Sequence, residues 1–190
     1  MNKNKVQYRK GGKVMYAFMT TGTSHFLKKI TDQHPKIDFH FMRSGTSTLV
    51  YYESTRKKGI FVSGRTFEVL YSFGDIYKKG FIVMQHIPVT DDGMKIFEEN
   101  ARNQLPIFQA RESLIATRLL KQLKSRQYII LTQWRTEQEY IKWKKSDQSD
   151  QFDFTKMARL PAYFAERPFT STYTMMKDDE EDRTGFDDND

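Results

Sequence analysis

The residues whose types and spacing could do chemistry in this chain are Tyr140 and Trp143, near the end of the stretch 128–146 that holds both tryptophans. They are three positions apart, so on a helix they share one face, with Ile141 beside them. Aromatic side chains on one face either fill a core or form the wall of a pocket for a flat apolar ligand. The pair therefore predicts a ligand site, with core packing as the alternative.

Two elements must position this pair. Residues 128–131 are apolar and rich in β-branched side chains, which predicts a short central strand. Thr136 and Glu139 have the spacing of a capping box, which predicts that a helix starts directly after the strand. We therefore expect Trp143 to lie between this helix and the sheet.

Other chemistries lack the residues that they need. The chain has no cysteine, which excludes disulfides, thiolate metal sites and a cysteine nucleophile. It has no glycine-rich phosphate loop, no G-x-S-x-G elbow and no H-E-x-x-H motif. His25, His34 and His40 do not have the spacing of metal ligands, so no metal site is expected.

The hydrophobic pattern predicts an α+β fold made of two similar halves. The first half is predicted as β-α-β-β-α, with elements at 14–20, 24–33, 37–42, 48–53 and 66–73. The second half is predicted as β-α-β-β-α-β, with elements at 81–89, 92–103, 114–121, 127–134, 137–146 and 170–176. The second order is that of a ferredoxin-like unit.

The predicted strand 81–89 is largely apolar on both faces, with Gln85 on one face and His86 on the other. A sheet covered by helices on one side only would not bury both faces. The N-terminal half could supply a second sheet and close a barrel within one chain, as a pseudo-dimer. The alternative is a homodimer formed through the C-terminal half.

Residues 130–146 follow the pattern I-L-T-x-W-x-T/S-x-x-x-[FY]-x-x-W-x-x-S, and residues 81–98 read F-I-V-M-Q-H-I-P-V-T-D-D-G-M-K-I-F-E. Both segments resemble antibiotic-biosynthesis-monooxygenase-like proteins, the dimeric α+β barrel superfamily that includes bacterial haem-degrading monooxygenases. Residues 21–30 and 67–74 resemble its two-domain Gram-positive members, of the haem-degrading and target-of-RNAIII-activating-protein types. The resemblance spans residues 14–176 and implies two ferredoxin-like units that share one barrel.

The resemblance also implies roles for single residues. Haem-degrading relatives use an asparagine on the first strand, a tryptophan on the helix after the third strand and a haem-ligating histidine about ten positions further on. These positions fall on Gln85, Trp143 and Asp153. Gln85 would orient dioxygen or substrate and Trp143 would form the pocket wall, so both are predicted to be catalytic. Asp153 puts a carboxylate where the family has its haem ligand.

The predicted ligand-binding residues are Trp143, Asp153, Tyr140 and Met157, and Tyr163 is a further substitute for the missing histidine. The expected ligand is small and planar or aromatic. Haem is the group that the resemblance implies, because it is both substrate and oxygen activator in the family. The alternative for Gln85 is a buried amide that only satisfies backbone groups.

The resemblance implies a monooxygenase, of the haem-degrading type, with an altered haem site. The alternative is a non-catalytic binding or regulatory protein that kept the scaffold. Nucleic-acid binding through the basic body is a weaker prediction, because the interleaved aromatic surface of a single-strand binder is lacking. Neither a nucleic acid nor a membrane is expected as a partner, and the assembly is expected to be a monomeric pseudo-dimer or a homodimer.

Composition and charge predict how the chain is divided and where the protein is located. Residues 178–190 carry eight acidic side chains against one arginine, a net charge of −7, so the rest carries +14 of the total +7. We expect a basic segment at 1–13, an N-terminal half unit at 14–78, a monooxygenase-like domain at 79–177 and a disordered acidic tail at 178–190. The lack of cysteines and of a signal-peptide core indicates a cytoplasmic protein.

Overall fold

The computed structural model describes residues 13–109, 112–156 and 161–177. In chain order the elements in these ranges are β1 (Tyr16–Gly22), α1 (Ser24–Thr31), β2 (His40–Ser44), β3 (Ser47–Ser54), β4 (Arg65–Phe73), β5 (Phe81–Pro88), α2 (Met94–Phe108), β6 (Leu114–Gln122), β7 (Gln127–Trp134), α3 (Glu137–Lys144) and β8 (Phe169–Met175). Short 3-10 helices at Asp147–Ser149 and Phe154–Lys156 follow α3.

The eight strands close into one antiparallel barrel in the order β1-β3-β2-β8-β5-β7-β6-β4. The N-terminal unit contributes β4-β1-β3-β2 and the C-terminal unit contributes β8-β5-β7-β6, which is the same ferredoxin-like order twice. The fourth strand of each unit pairs with the second strand of the other, β4 with β6 and β8 with β2. The α+β barrel is therefore a pseudo-dimer within one chain, as predicted.

The predicted helix at 66–73 is wrong, because these residues form strand β4. The pairing of β4 with β6 shifts register between Val69 and Tyr71, which marks a β-bulge. Phe67 and Val69 face the barrel interior, whereas Leu70 and Tyr71 pack on the outside. The bulge interrupts the alternation that identifies a strand and leaves apolar residues at a helical spacing. In the N-terminal unit, the irregular segment 55–64 stands where the C-terminal unit has α3.

Strand β5 is buried on both faces, which confirms the expectation that a second sheet covers it. Ile82 and Met84 point inward and join the barrel core. Phe81 and Val83 point outward and pack with aromatic side chains of α2 and α3. α2 ends at Phe108, five residues beyond its predicted end, and contains Pro106. Burial of Leu105 and Phe108 in the last turns outweighs the loss of the backbone hydrogen bond that Pro106 cannot donate.

The connection between the two units crosses one end of the barrel and is bound there by two inward-facing side chains. Gln133 Nε2 donates to the carbonyls of Tyr77 at 2.7 Å and Lys79 at 2.8 Å, and its Oε1 accepts from the Tyr77 amide. Arg118 Nη1 donates to the carbonyls of Phe73 and Gly74. Gly74 has a φ of 65°, and a Cβ there would lie 2.1 Å from a β6 carbonyl, so only glycine fits.

A buried ion pair lies beneath this connection. Arg118 Nε donates to Glu53 Oε1 at 2.7 Å, and the Tyr51 hydroxyl donates to the same oxygen. The Arg118 side chain is 6% exposed and that of Glu53 is 24% exposed. Burial lowers the pKa of Arg118, but the charge and hydrogen bond of Glu53, together with Tyr51 and Asp75, outweigh this effect and the pKa is raised. The barrel is thus joined across its two units by a charge pair as well as by strands.

The predicted basic segment and acidic tail lie outside the described residues, apart from Lys13. Among the described residues, no helix combines the length and the apolar character that crossing a membrane requires.

Candidate functional site

Most of the side chains predicted to do chemistry meet on the outer face of the C-terminal unit. β5 supplies Gln85 and α3 supplies Tyr140 and Trp143. Residues 149–156, which we call the lid, follow α3 and pass over Gln85. The C-terminal turns of α2 form the opposite wall of this cleft.

α3 begins where the capping pattern predicts. Thr136 is the N-cap, and its hydroxyl accepts a hydrogen bond from the Glu139 amide at 3.2 Å. The helix turns Tyr140 and Trp143 inward, whereas Ile141 is 41% exposed and does not share their environment. Local sequence signals therefore account for the position of both aromatic side chains.

The Trp143 ring is buried among other rings and has an unsatisfied polar atom. Its centroid lies 5.0 Å from Trp134 and 5.3 Å from Phe108. Its Nε1 is buried and has no hydrogen-bond partner among the described residues. An unpaired buried donor costs about 1–3 kcal/mol. Trp143 thus fills the core and also presents a free donor.

Gln85 binds the lid through both ends of its amide. Nε2 donates to the Phe152 carbonyl at 2.9 Å, and Oε1 accepts from the Phe154 amide at 3.0 Å. The residue is 6% exposed. In this arrangement both ends of the amide satisfy backbone groups of the lid.

Asp153 lies between these two lid residues and is 3% exposed. Its Oδ1 accepts from the Thr155 amide at 3.1 Å and from the Thr155 hydroxyl, which starts the short 3-10 helix. Its Oδ2 is buried without a hydrogen-bond partner in the described part of the chain. Burial, and next the Asp153 carboxylate, raise the pKa of Tyr140 to about 12, so that phenol is protonated at neutral pH.

The space left in the cleft is small. A cavity of about 10 Å³ remains beside Gln85, Gln104, Phe108, Phe152 and Phe154, which is room for about one water molecule. Haem does not fit this arrangement, since the cleft has neither the volume nor an imidazole: the last histidine of the sequence is His86.

The two other predicted ligand residues are Met157 and Tyr163. Met157 lies outside the described residues. Tyr163 packs edge-on against Phe164, and its carbonyl accepts from the Thr90 amide in the turn before α2. The prediction missed Phe152 and Phe154, which line the cleft, although the sequence has an aromatic residue on each side of Asp153.

His86 faces the barrel interior, on the opposite face of β5 from Gln85, as predicted. Its Nε2 is 2.8 Å from Ser171 Oγ, and its ring stacks on Phe169 at 4.5 Å. Burial, and then the charge of Arg65, lower the pKa of His86 to about 4. It belongs to the barrel core and is separated from Gln85 by the sheet.

We expect His86 to make folding sensitive to acid. Its ordinary pKa is about 6.5, so between pH 6.5 and 4 the unfolded chain takes up a proton that the folded chain refuses. The free energy of unfolding should therefore fall by about 3 kcal/mol across this window on account of His86. Urea denaturation of His86→Gln at pH 7 and pH 4 should show that much less pH dependence than the parent, and an equal dependence would contradict the assignment.

The sequence is similar to those of known proteins. Residues 80–153 match the antibiotic biosynthesis monooxygenase family. The heme-degrading monooxygenase of Listeria monocytogenes serovar 1/2a is 30% identical over 129 residues, which cover 68% of this chain and 77% of the relative.

Two solved structures share the fold. A heme-degrading enzyme from Listeria monocytogenes has a TM-score of 0.66 at 24% identity, with 84% of this chain and 98% of that chain covered. A structure described as a major regulator of staphylococcal pathogenesis has a TM-score of 0.76 at 21% identity, with 85% and 99% covered. The fold is thus shared by a degrading enzyme and a regulator.

Proposed function

Because the chain belongs to the antibiotic biosynthesis monooxygenase family, we propose that it is a binding protein on that scaffold, which holds a small planar aromatic ligand in the cleft between α2, α3 and β5. It degrades haem slowly or not at all. This is the alternative that the sequence left open, and the altered haem site is its reason.

The observation that carries the proposal is the state of Asp153. By the resemblance, the family's haem ligand falls on this residue, which is 3% exposed and accepts hydrogen bonds from Thr155. A carboxylate is a poor substitute for neutral imidazole on haem iron, and the loss of that ligand removes both affinity and control over oxygen activation. The cleft therefore keeps the walls of a binding site without the ligand that the chemistry needs.

The walls themselves favour a flat ligand with polar edges. Phe108 lines the cavity and Trp143 packs edge-on against it, and the unpaired Trp143 N–H would be a donor for a ligand oxygen or nitrogen that reaches it. Satisfying that donor would recover about 1–3 kcal/mol of the cost of its burial. Both an aromatic wall and a free donor support binding.

Haem breakdown itself is the second candidate. The observation that favours it is the 30% identity with a heme-degrading monooxygenase. The resemblance also puts the family's tryptophan at Trp143. In that case Gln85 would orient dioxygen or substrate, as the resemblance implies, after giving up its hydrogen bonds to the lid.

A hemin titration separates the two candidates. We expect the unmodified protein to bind hemin weakly, without the Soret shift of histidine ligation, and to leave the porphyrin absorbance intact with ascorbate. Asp153→His should tighten hemin binding by about tenfold or more and shift the Soret band. Asp150→His, an exposed position three residues away, is the matched control and should do neither.

Trp143→Ala should weaken whatever binds in the cleft, which quenching of the remaining tryptophan can follow. Tight histidine-type ligation with rapid, reductant-dependent loss of haem in the unmodified protein would establish the second candidate. Absence of binding before and after Asp153→His would overturn both candidates and leave a regulatory protein without a ligand.

A further inference from the structure

The side chain of Gln85 joins β5 to the lid. Gln85 lies 67 residues before Phe152 and 69 before Phe154, yet its amide binds the backbone of both. The other described hydrogen bonds of this part of the chain include local ones: Ser149 N donates to the Ser146 carbonyl, and the Ser149 carbonyl accepts from Phe152 and Asp153. Gln85 therefore fixes a locally folded segment onto the sheet.

The rings on either side of Asp153 occupy the cleft. Phe152 packs against Phe108 of α2 at a centroid distance of 4.9 Å, and Phe154 packs against Phe97 of the same helix at 6.1 Å. Both are 6% exposed. A flat aromatic ligand between α2 and the sheet would need the volume that these two flat side chains fill.

We propose that the lid is an internal competitor for the ligand site and that Gln85 is its latch, the latch being the two hydrogen bonds from the Gln85 amide to Phe152 and Phe154. This inference rests on the proposed binding function. Ligand enters when the latch opens and the two rings leave the cleft. Gln85 acts here as a positioning residue for the lid, and not as a ligand contact.

The closed arrangement buries two polar atoms without hydrogen bonds, and this free-energy cost favours opening. Trp143 Nε1 and Asp153 Oδ2 are buried, and no described residue offers either a hydrogen bond. Opening exposes such groups to water or ligand and removes that cost. The apparent dissociation constant of a ligand equals its intrinsic value divided by the fraction of open molecules, so weakening the latch must tighten binding.

The test is the sign of the change in affinity when the latch is broken. Gln85→Met keeps the length of the side chain and removes both hydrogen bonds. We expect it to bind protoporphyrin IX, a flat probe without iron, about tenfold more tightly than the parent. Gln33→Met makes the same exchange at an exposed position just after α1, in the N-terminal unit, and should leave the dissociation constant unchanged. If Gln85 instead contacts the ligand, Gln85→Met binds more weakly, and the latch is refuted.

Two further measurements distinguish a failure of the latch proposal from a failure of the proposed binding function. Phe152→Ala leaves Gln85 intact and removes one ring from the cleft, so it should also tighten binding of protoporphyrin IX. Hydrogen exchange at the Phe154 amide, the donor to Gln85, should speed up by about tenfold in Gln85→Met with the rest of the barrel still protected. Unchanged exchange there refutes the latch whatever the probe does. Faster exchange with no probe binding in any variant supports the latch and refutes the proposed binding function.

Discussion

Deletion of residues 1–78 is expected to turn a monomer into a dimer or an aggregate. The remaining C-terminal unit would lose β4 and β2, so β6 and β8 would become open edges. The inner face of β5, with Ile82 and Met84, would lose the sheet that covers it. Light scattering should find the intact chain at 22.6 kDa and the truncated chain at twice its own mass or more.

Deletion of 178–190 is the control for this experiment, since that stretch lies outside the described barrel and its loss should leave a monomer. The intact chain could instead form a stable dimer that buries the inner face of β5, which would contradict closure within one chain. The boundary near residue 79 is tested by the same truncation, because a soluble monomer of 79–190 would make the C-terminal unit an independent domain.

Arg118→Met should lower the free energy of unfolding by about 3–5 kcal/mol, the usual effect of breaking a buried ion pair. The substitution leaves the Glu53 carboxylate beside Tyr51 without its cation and removes the donor to the carbonyls of Phe73 and Gly74. Urea denaturation at pH 7 measures the loss.

The matched control is Arg126→Ala, which breaks an ion pair with Asp91 whose two side chains are more than half exposed. An exposed pair contributes about 0–1 kcal/mol, so this variant should unfold almost as the parent does. Equal losses in the two variants would show that the pair inside the barrel does not connect the units as we describe.

Periodicity could predict most of the fold, because a strand buried on both faces or a capped helix leaves a local signature. β7 and the start of α3 were predicted at their observed bounds. β4 was not, because its bulge at Val69 changes which side chains face inward, and a bulge is set by the partner strand β6 rather than by the local sequence.

The positions of the aromatic side chains of the site could be predicted, but the hydrogen-bond partners of Gln85 could not. Local spacing sufficed to place Tyr140 and Trp143 on one helix face. The partners of Gln85 could not be predicted, since a hydrogen bond across 67 residues depends on where the lid returns to the sheet. The roles of Gln85, Trp143 and Asp153 in binding stay predictions that the titrations above decide.

Closure of the barrel within one chain frees its two halves from symmetry. The two units can be compared strand by strand through their pairing. Thr20 of β1 then corresponds to Gln85 of β5, and Glu53 of β3 corresponds to Gln133 of β7. A homodimer would have the same residue at both positions of each pair. This chain instead has a carboxylate that binds Arg118 in one unit and an amide that binds the connection in the other. The proposed ligand cleft lies in the C-terminal unit, so binding there should saturate at one ligand per chain, with a Hill coefficient of one.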